Sequence, residues 1–437
     1  MNRNTSSNKS PKSLKSLKSK KKRIVSSVIA GEILVETVFQ KRAQKTQFCI
    51  SQNGVWHFME SLPDGESIIE PYSAKNNLLQ HKVLLLAEEP IEYGTQEELV
   101  TRIQAFIHKY VHVSPRFEKL ASYYVLLTWI YDCFNELPYL RLKGNPGSGK
   151  TRFLLIVGSI CYKPLFASGA STVSPLFRML DKIQGTLILD EGDFRLSDER
   201  AEIVKILNNG NARGFPVLRS EVTPWGEYSP HAFYVYGPKI VATRKAFEDP
   251  ALETRCITEE MGTGDLRRDI PLNLTEEYEN EALRLRNQLL MFRLRSYRKQ
   301  EFPDLSHLDL EPRLIQVLRP LFSIIQDEKT RQELIELATE YQSNMEGYRG
   351  MQIEAQILQV IADLKEQDVV LSVRDITSWF NDRYTEGYDK PLTARGIGRI
   401  IRESLQLTTR KSNGVFIVPP EEYPKLSWLF KKYSTQD

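Results

Sequence analysis

Residues 144–151 read Gly-Asn-Pro-Gly-Ser-Gly-Lys-Thr and decide the fold, because they match the phosphate-loop pattern G-x-x-x-x-G-K-[ST] at every defined position. The flanking residues predict the setting that this motif requires. Residues 140–142 read as a short strand that enters the loop, and residues 153–157 read as the apolar face of a helix that leaves it. A strand, a glycine-rich loop and a helix in this order are typical of a nucleotide-binding α/β domain.

The residue types in this loop suit a triphosphate. Glycines let backbone N–H groups approach the phosphates, and the start of the helix adds positive potential. Lys150 is expected to reach the β and γ phosphates, and Thr151 to place its hydroxyl on Mg²⁺. We therefore predict ATP and Mg²⁺ as ligands, bound by Gly144, Asn145, Pro146, Gly147, Ser148, Gly149, Lys150 and Thr151.

A second strand carries carboxylates to the same site. Residues 185–189 are followed by Asp190 and Glu191, and in parallel folds such a strand ends at the nucleotide. Asp190 is expected to help hold Mg²⁺, and Glu191 to polarise the water that attacks the γ phosphate. Asp193 is a weaker candidate for a supporting role.

A third strand, residues 239–243, is followed by a short helix that ends in Leu252-Glu-Thr-Arg255. Together with the two preceding motifs, this pattern resembles sensor 1 and the arginine finger of AAA+ ATPases. The resemblance implies that Thr243, where Asn is more usual, orients the attacking water. It also implies that Arg255 acts on the γ phosphate of a neighbouring subunit, with Arg244 and Lys245 as alternatives for that role.

The 45 residues between Asp193 and Lys239 exceed what one helix and a loop need. Residues 199–208 read as a helix, and residues 214–220 and 232–236 as a hairpin around 223–226. The hairpin resembles the pre-sensor-1 β-hairpin of superfamily 3 and minichromosome-maintenance-like helicases, which grips one DNA strand. Arg219 and Trp225 are then the main DNA-binding candidates, and an ordinary surface hairpin remains the alternative.

Two helical regions complete the chain. Residues 271–346, with helices at 276–298 and 311–326, resemble the AAA+ lid, whose sensor 2 arginine would be Arg286, Arg293 or, by preference, Arg313. Residues 347–437 show three helices, at 351–366, 372–384 and 393–404, and then a hairpin at 408–418. They resemble a winged-helix DNA-binding domain, although winged helices also bind proteins. Its predicted DNA contacts are Arg395, Arg399 and Arg402 on one helix face and Arg410 and Lys411 on the wing.

The amino-terminal part of the chain differs in composition from the rest. Residues 1–23 hold nine Lys or Arg and no acidic residue, so a disordered basic tail is expected, either a nucleic-acid or nuclear-targeting segment or a solubilising one. Residues 24–95 read as a small β-rich domain. The 437 residues contain no apolar run of membrane-spanning length, and the four cysteines never form C-x-x-C, which favours a soluble, cytoplasmic protein.

The predicted fold class is α/β: an AAA+ core with a parallel sheet between helices (96–270), a helical lid (271–346) and a winged helix (347–437). The whole resembles replicative helicases of mobile elements. This implies an ATP-driven DNA helicase that acts as a homo-oligomer, typically a hexamer, on single- and double-stranded DNA, with an initiator or primase as candidate partners and no membrane. Two alternatives stay open: an origin-binding initiator or helicase loader that uses ATP as a switch, and a DNA-binding regulator whose nucleotide site gates assembly.

Overall fold

The protein forms two compact units, Met1–Arg331 and Gln332–Asp437. The structure is a computed structural model that describes residues 21–52, 54–65, 67–169, 171–190, 197–222, 225–226, 228–247, 249–262, 267–350, 353–384, 391–412 and 414–433. The division between the units falls inside a helix, upstream of the predicted boundary at residue 347. The predicted basic tail lies outside the described residues except for its last three, which belong to the first strand.

The described part of the first unit contains fourteen strands. They are β1 (Lys21–Val25), β2 (Ser27–Ala30), β3 (Ile33–Gln40), β4 (Lys45–Gln52), β5 (Val55–Met59), β6 (Leu62–Asp64), β7 (Ser67–Pro71), β8 (Tyr139–Lys143), β9 (Leu165–Ser168), β10 (Leu187–Asp190), β11 (Val217–Val222), β12 (Tyr228–Phe233), β13 (Lys239–Thr243) and β14 (Cys256–Glu260). Its helices are α1 (Asn77–Gln80), α2 (Gln96–Tyr110), α3 (Pro115–Trp129), α4 (Lys150–Gly158), α5 (Val173–Ile183), α6 (Ser197–Asn209), α7 (Pro250–Glu253), α8 (Glu276–Ser296) and α9 (Pro312–Ile324), while α10 (Glu328–Gly350) crosses the division.

A five-stranded parallel sheet lies at the centre of the first unit, in the order β14-β8-β13-β10-β9. Its three inner strands, β8, β13 and β10, are short and almost wholly buried, as expected for a parallel sheet covered by helices on both faces. The predicted parallel sheet between helices is therefore confirmed. Because the strands are parallel, the sheet has one edge where all strands end and an opposite edge where all strands begin. We call these the carboxyl edge and the amino edge.

The β-rich region predicted for residues 24–95 is present, but it is not a separate domain. It forms an antiparallel sheet, β2-β3-β4-β5, and a small sheet of β1, β7 and β6. Glu36 of β3 is buried, and its carboxylate lies 2.8 Å from Lys163 Nζ and 2.7 Å from Arg293 Nε of α8. Burial alone would raise the pKa of Glu36, but Lys163 and Arg293 hold it below its usual value. These buried charges join the β-rich region to the rest of the unit.

The helices predicted at 276–298 and 311–326 correspond to α8 and α9. Helix α8 packs against α2 and α3, and α9 packs against α3. The helices of the predicted lid thus share a core with helices that precede the sheet in sequence. Within the described ranges, α8 and α9 belong to the first compact unit and not to a unit of their own.

The predicted hairpin is also present. Strands β11 and β12 are antiparallel and follow α6, which matches the helix predicted at 199–208. The second hairpin strand begins at Tyr228 and ends at Phe233, earlier than the predicted 232–236. Because β13 begins only a few residues after β12 ends, the hairpin leaves the sheet from its amino edge.

The described residues of the second unit beyond α10 form α11 (Ile353–Glu366), α12 (Val373–Tyr384), α13 (Ala394–Glu403), β15 (Arg410–Ser412), β16 (Val415–Ile417) and α14 (Tyr423–Tyr433). Three helices followed by an antiparallel hairpin match the predicted element order. Helix α14 was not predicted. Its buried residues, Leu426, Leu429 and Phe430, close the same apolar core as α11 to α13.

Two further sequence expectations concern membranes and thiols. No described helix combines the length and the apolar composition that crossing a bilayer requires. The four cysteines Cys49, Cys133, Cys161 and Cys256 are free thiols, as their spacing predicts. Burial raises the pKa of Cys49 and Cys256 to about 12, so neither thiol is a ready nucleophile.

Candidate nucleotide-binding site

The phosphate loop joins β8 to α4 at the carboxyl edge of the sheet. Gly147 has φ of 82° and Gly149 has φ of 92°, a backbone region that glycine enters without strain. Helix α4 begins directly after, at Lys150. The first N–H groups of a helix have no partner within it, so this turn offers hydrogen-bond donors and positive potential to an anion.

The sequence predicts that Gly144 lets backbone N–H groups approach the phosphates, but in the structure it makes room for another segment of the chain. A Cβ atom at this position would lie 2.5 Å from the carbonyl oxygen of Met261 and 2.9 Å from Ser148 Oγ. The Met261 N–H donates to the Lys143 carbonyl at 2.6 Å, so the chain that follows β14 lies directly against the loop. Glycine is required here for this close approach between two chain segments.

The Lys150 ammonium lies within the loop. Its Nζ donates to the carbonyl oxygens of Gly144 at 2.6 Å and Asn145 at 2.8 Å. A flexible ammonium with three donors can exchange such carbonyls for phosphate oxygens without a backbone movement. The position therefore fits its predicted role at the β and γ phosphates.

The structure brings together the two predicted magnesium ligands. The Thr151 hydroxyl donates to Asp190 Oδ2 at 2.7 Å, although the residues belong to α4 and to the end of β10. Within the described ranges no group of three or more His, Cys, Asp or Glu could hold a metal. A hydroxyl and one carboxylate nevertheless suit Mg²⁺, which takes most of its other ligands from phosphate and water. Glu191 and Asp193 lie outside the described residues.

Thr243 lies between these two motifs because β13 lies between β8 and β10. Its carbonyl accepts the Gly144 N–H at 3.2 Å, which attaches the end of β13 to the phosphate loop. Its hydroxyl is buried and has no hydrogen-bond partner among the residues that the structure describes. A buried hydroxyl without a partner costs about 1–3 kcal/mol, which a bound water or a phosphate oxygen could offset.

Arg255 lies at the amino edge, far from the phosphate loop of its own chain. In the parallel register, Cys256 pairs with Tyr139 while Glu260 pairs with Lys143, where the loop begins. Four residues of strand separate the two ends by about 13 Å. The Arg255 guanidinium donates to Asn208 Oδ1 at the end of α6, and its buried Nε has no partner among the described residues.

Arg313, predicted as sensor 2, is also at the amino edge. Its Nε donates to Thr254 Oγ1 at 3.1 Å, next to Arg255. Burial is the main cause that lowers the pKa of Arg255, and the positive charge of Arg313 lowers it further. Arg313 therefore does not lie beside the phosphate loop of its own chain, and its role as sensor 2 stays a prediction. The helix that carries it begins beside α7 and not beside the loop.

The other arginines considered for sensor 2 have structural contacts. The Arg286 guanidinium is buried and donates to the carbonyl oxygens of Leu86 and Ser159. Arg293 is held by Glu36, as described above, and also by Asp132, whose carboxylate lies 2.7 Å from its guanidinium. In contrast, Arg244 and Lys245 directly follow Thr243 and are exposed at the carboxyl edge.

The hairpin presents aromatic side chains more than charge. Trp225 is 85% exposed at its tip, and Tyr228, which the sequence analysis did not single out, is 79% exposed. Arg219 is paired with Glu202 of α6, and its guanidinium lies 5.3 Å from the centre of the Phe177 ring. Tyr228 could have been found from its place beside the predicted turn, where an aromatic residue has nothing to pack on.

The second unit keeps its predicted cations at the surface. The exposed members are Arg395, Arg399 and Arg402 on α13 and Arg410 and Lys411 on β15. Three of them have partners within the unit: Arg399 with Glu403 at 3.4 Å, Arg402 with Thr409 at 3.5 Å, and Arg410 with Glu421 at 3.2 Å. Such exposed pairs are weak and can be exchanged for phosphate contacts.

Comparison with known proteins adds a distant structural likeness. No family model and no curated protein matches the chain. Two solved structures of the NrS-1 C terminal region, both described as the A form apo structure, are similar to it. Each is 10% identical with a TM-score of 0.36, and the alignments cover 88% of this chain and 96% or 95% of the other. At these values the likeness identifies neither a family nor an activity.

Proposed function

We propose that the protein binds and hydrolyses ATP with Mg²⁺ and uses the reaction to move along DNA. One contact carries the first part of this proposal: the 2.7 Å hydrogen bond between Thr151 and Asp190 at the mouth of a phosphate loop. The two residues are 39 positions apart, Thr151 in helix α4 and Asp190 at the end of strand β10. Their convergence gives the loop a hydroxyl and a carboxylate where a nucleotide-bound magnesium would need them.

Each residue of the site then has a defined task. Lys150 binds the β and γ phosphates, and Thr151 and Asp190 would hold Mg²⁺, which supplies charge neutralisation during phosphoryl transfer. Glu191 takes a proton from the attacking water. The hydroxyl of Thr243, for which the described part of the chain supplies no hydrogen-bond partner, orients that water from the strand between the two motifs.

We further propose that the active site is completed by a second copy of the chain. Arg255 and Arg313 form a pair of cations at the amino edge, where they cannot reach the loop of their own chain. In a head-to-tail assembly the amino edge of one copy meets the carboxyl edge of the next, and such an arrangement closes into a ring when the rotation permits. A hexameric ring is the form that the sequence resemblance implies.

DNA binding is assigned to the hairpin and to the second unit. Exposed aromatic rings such as Trp225 and Tyr228 suit stacking on the bases of a single strand. The exposed arginines of α13 suit contacts with duplex phosphates, as in the winged helix that this unit resembles in sequence. Hydrolysis at each interface would then move the hairpins along one strand.

An initiator or helicase loader that uses ATP as a switch is the second candidate. The pairing of Arg219 with Glu202 favours it, because that pair engages one of the two hairpin residues expected to bind DNA. An initiator would bind ATP and duplex DNA but would not displace a strand. A regulator with a nucleotide-gated assembly site would bind ATP without appreciable turnover.

The decisive test compares Glu191→Gln with Asp193→Asn, two neighbouring carboxylate-to-amide changes. Glu191→Gln is expected to bind ATP like the parent and to lose turnover by about 10²- to 10⁴-fold, because the amide cannot accept the proton. Asp193→Asn should retain most activity. Both proteins and the parent are assayed for ATP hydrolysis and for unwinding of a forked DNA. Equal turnover in all three would reject the catalytic assignment, and turnover without unwinding would favour the initiator.

A further inference from the structure

Arg141 is a buried cation in the middle of β8, the strand that leads into the phosphate loop. Its side chain is 3% exposed, and long charged side chains are rarely buried to this degree unless they are paired. The two terminal nitrogens donate to the two carboxylate oxygens of Glu253, one of them at 2.7 Å. The remaining donor, Nε, reaches Thr258 Oγ1 of β14 at 3.0 Å. Lys239 of the neighbouring strand β13 is also buried, but it donates to backbone carbonyl oxygens. The ion pair of Arg141 with a carboxylate therefore needs its own explanation.

Glu253 is the last residue of α7 and lies two positions before Arg255. It also accepts a hydrogen bond from the Phe247 N–H, and the Phe247 ring centre lies 5.1 Å from the Arg141 guanidinium. A four-residue helix cannot hold its position by its own hydrogen bonds. The segment that carries Arg255 from β13 to β14 is therefore held at both ends by one guanidinium.

We propose that Arg141 is a positioning residue that sets Arg255 for the neighbouring copy and links it to the phosphate loop of its own chain. The inference rests on the proposed role of Arg255 in a second copy. The loop begins at Gly144, three residues beyond Arg141 on the same strand. Strand β8 is displaced when the loop binds or releases phosphate. Through the Arg141–Glu253 pair this displacement moves α7 and therefore Arg255, which acts on the nucleotide of the neighbouring copy.

A purely structural ion pair is the rival explanation, and the variants are chosen to separate the two. Breaking a buried pair outright, by removing one partner, would strongly destabilise the fold. Arg141→Lys keeps the charge but loses the two-pronged contact, and Glu253→Gln keeps the shape and one acceptor. Arg383→Lys, which loosens the 2.6 Å pair with Asp363 in the second unit, is the matched control.

The experiment mixes each variant with one of two partners and measures ATP hydrolysis. Lys150→Ala copies supply an intact Arg255 but no working phosphate loop. Arg255→Ala copies supply an intact phosphate loop but no Arg255. Arg141→Lys alone is expected to lose about a hundredfold in turnover, the cost of a displacement of about 1 Å, with ATP binding unchanged. Mixing with Lys150→Ala should restore turnover, because the Arg141→Lys loop then receives a well-placed finger. Mixing with Arg255→Ala should not.

Each other outcome overturns a defined statement. If Lys150→Ala and Arg255→Ala fail to complement each other, the action of Arg255 across copies is wrong and this inference fails with it. If they complement each other but Arg141→Lys is restored equally by both partners, or by Arg255→Ala alone, only the positioning role is wrong. Should Arg141→Lys not fold, Glu253→Gln is tested in the same mixtures and must show the same asymmetry.

Discussion

The two edges of the parallel sheet differ in what they offer a nucleotide. The carboxyl edge is built from a glycine-rich loop, two hydroxyls and a carboxylate, and it suits the phosphates and magnesium. The amino edge carries Arg255 and Arg313, with the exposed hairpin close by. The carboxyl edge is shaped to bind an anion. The amino edge presents cations of the kind that would stabilise a phosphate group during its transfer.

This difference is the basis for proposing an active site that two copies share. The length of a strand, about 13 Å, is too great for Arg255 to reach its own loop, so in the proposed function the two sets of residues would meet only between copies. The proposed head-to-tail contact would also bring the hairpin of each copy into a repeated arrangement. On this proposal, assembly would be a condition for turnover.

The largest expected effect comes from breaking the carboxyl edge. Lys150→Ala should weaken ATP binding by about 10²- to 10⁴-fold, because charged contacts to two phosphates are lost at about 1.5–3 kcal/mol each. Titration with a fluorescent ATP analogue measures the loss. Lys143→Ala is the control, since this lysine is paired with Glu260 at 2.5 Å beside the loop. If Lys150→Ala and the parent bound ATP with equal affinity, the phosphate loop would not be part of the nucleotide-binding site.

The next effect comes from breaking the amino edge. Arg255→Ala should leave ATP binding intact and lower turnover by about 10³- to 10⁵-fold, the range for a cation at a transferred phosphate. Arg313→Ala should act in the same direction and more weakly, because Arg313 is the more exposed of the two. If Arg313→Ala weakens ATP binding by isolated copies at low protein concentration, the residue serves its own chain after all.

A smaller effect tests whether the hairpin binds a strand. Trp225→Ala should weaken single-stranded DNA binding by about 5- to 150-fold, equivalent to about 1–3 kcal/mol for one stacked base, and should spare ATP hydrolysis without DNA. Fluorescence anisotropy with a labelled oligonucleotide measures it. Leu218→Ala is the control, an exposed apolar change on the same hairpin. Arg219→Ala should matter less than Trp225→Ala, and the opposite order would restore Arg219 as the main contact.

The last expected effect concerns folding stability at the base of the hairpin. Lys239, at the start of β13, is fully buried and donates to the carbonyls of Gly210, Val235 and Gly237. Burial lowers its pKa to about 7, so the unfolded chain binds the extra proton between about pH 7 and pH 10.4. The free energy of unfolding of the parent should therefore rise with pH in this window, by up to about 1.4 kcal/mol per unit relative to Lys239→Met. Urea unfolding at several pH values measures this, with Lys205→Met as an exposed control, and parallel pH dependences would contradict it.

The sequence was sufficient wherever a few adjacent residues set the backbone. The phosphate loop, the strand that ends at Asp190, the hairpin and the three helices of the second unit all follow from glycine positions and hydrophobic periodicity. The place of Arg313 at the amino edge could not be predicted, because it depends on how α9 packs, which leaves no local pattern. Likewise, no local pattern in the sequence indicated that α10 continues through residue 347 without a break.

By itself, then, the sequence determined that the chain has a phosphate loop on a parallel α/β core, followed by a small helical unit with a hairpin. Only the tertiary structure decided which edge of the sheet each charged residue occupies, that the amino-terminal strands belong to the same unit, and that Arg141 holds the segment before Arg255. The physical reason is that local patterns specify backbone conformation within one turn or strand. The distance between Arg255 and Gly144 depends instead on strand order and direction, which are set by the packing of the whole sheet.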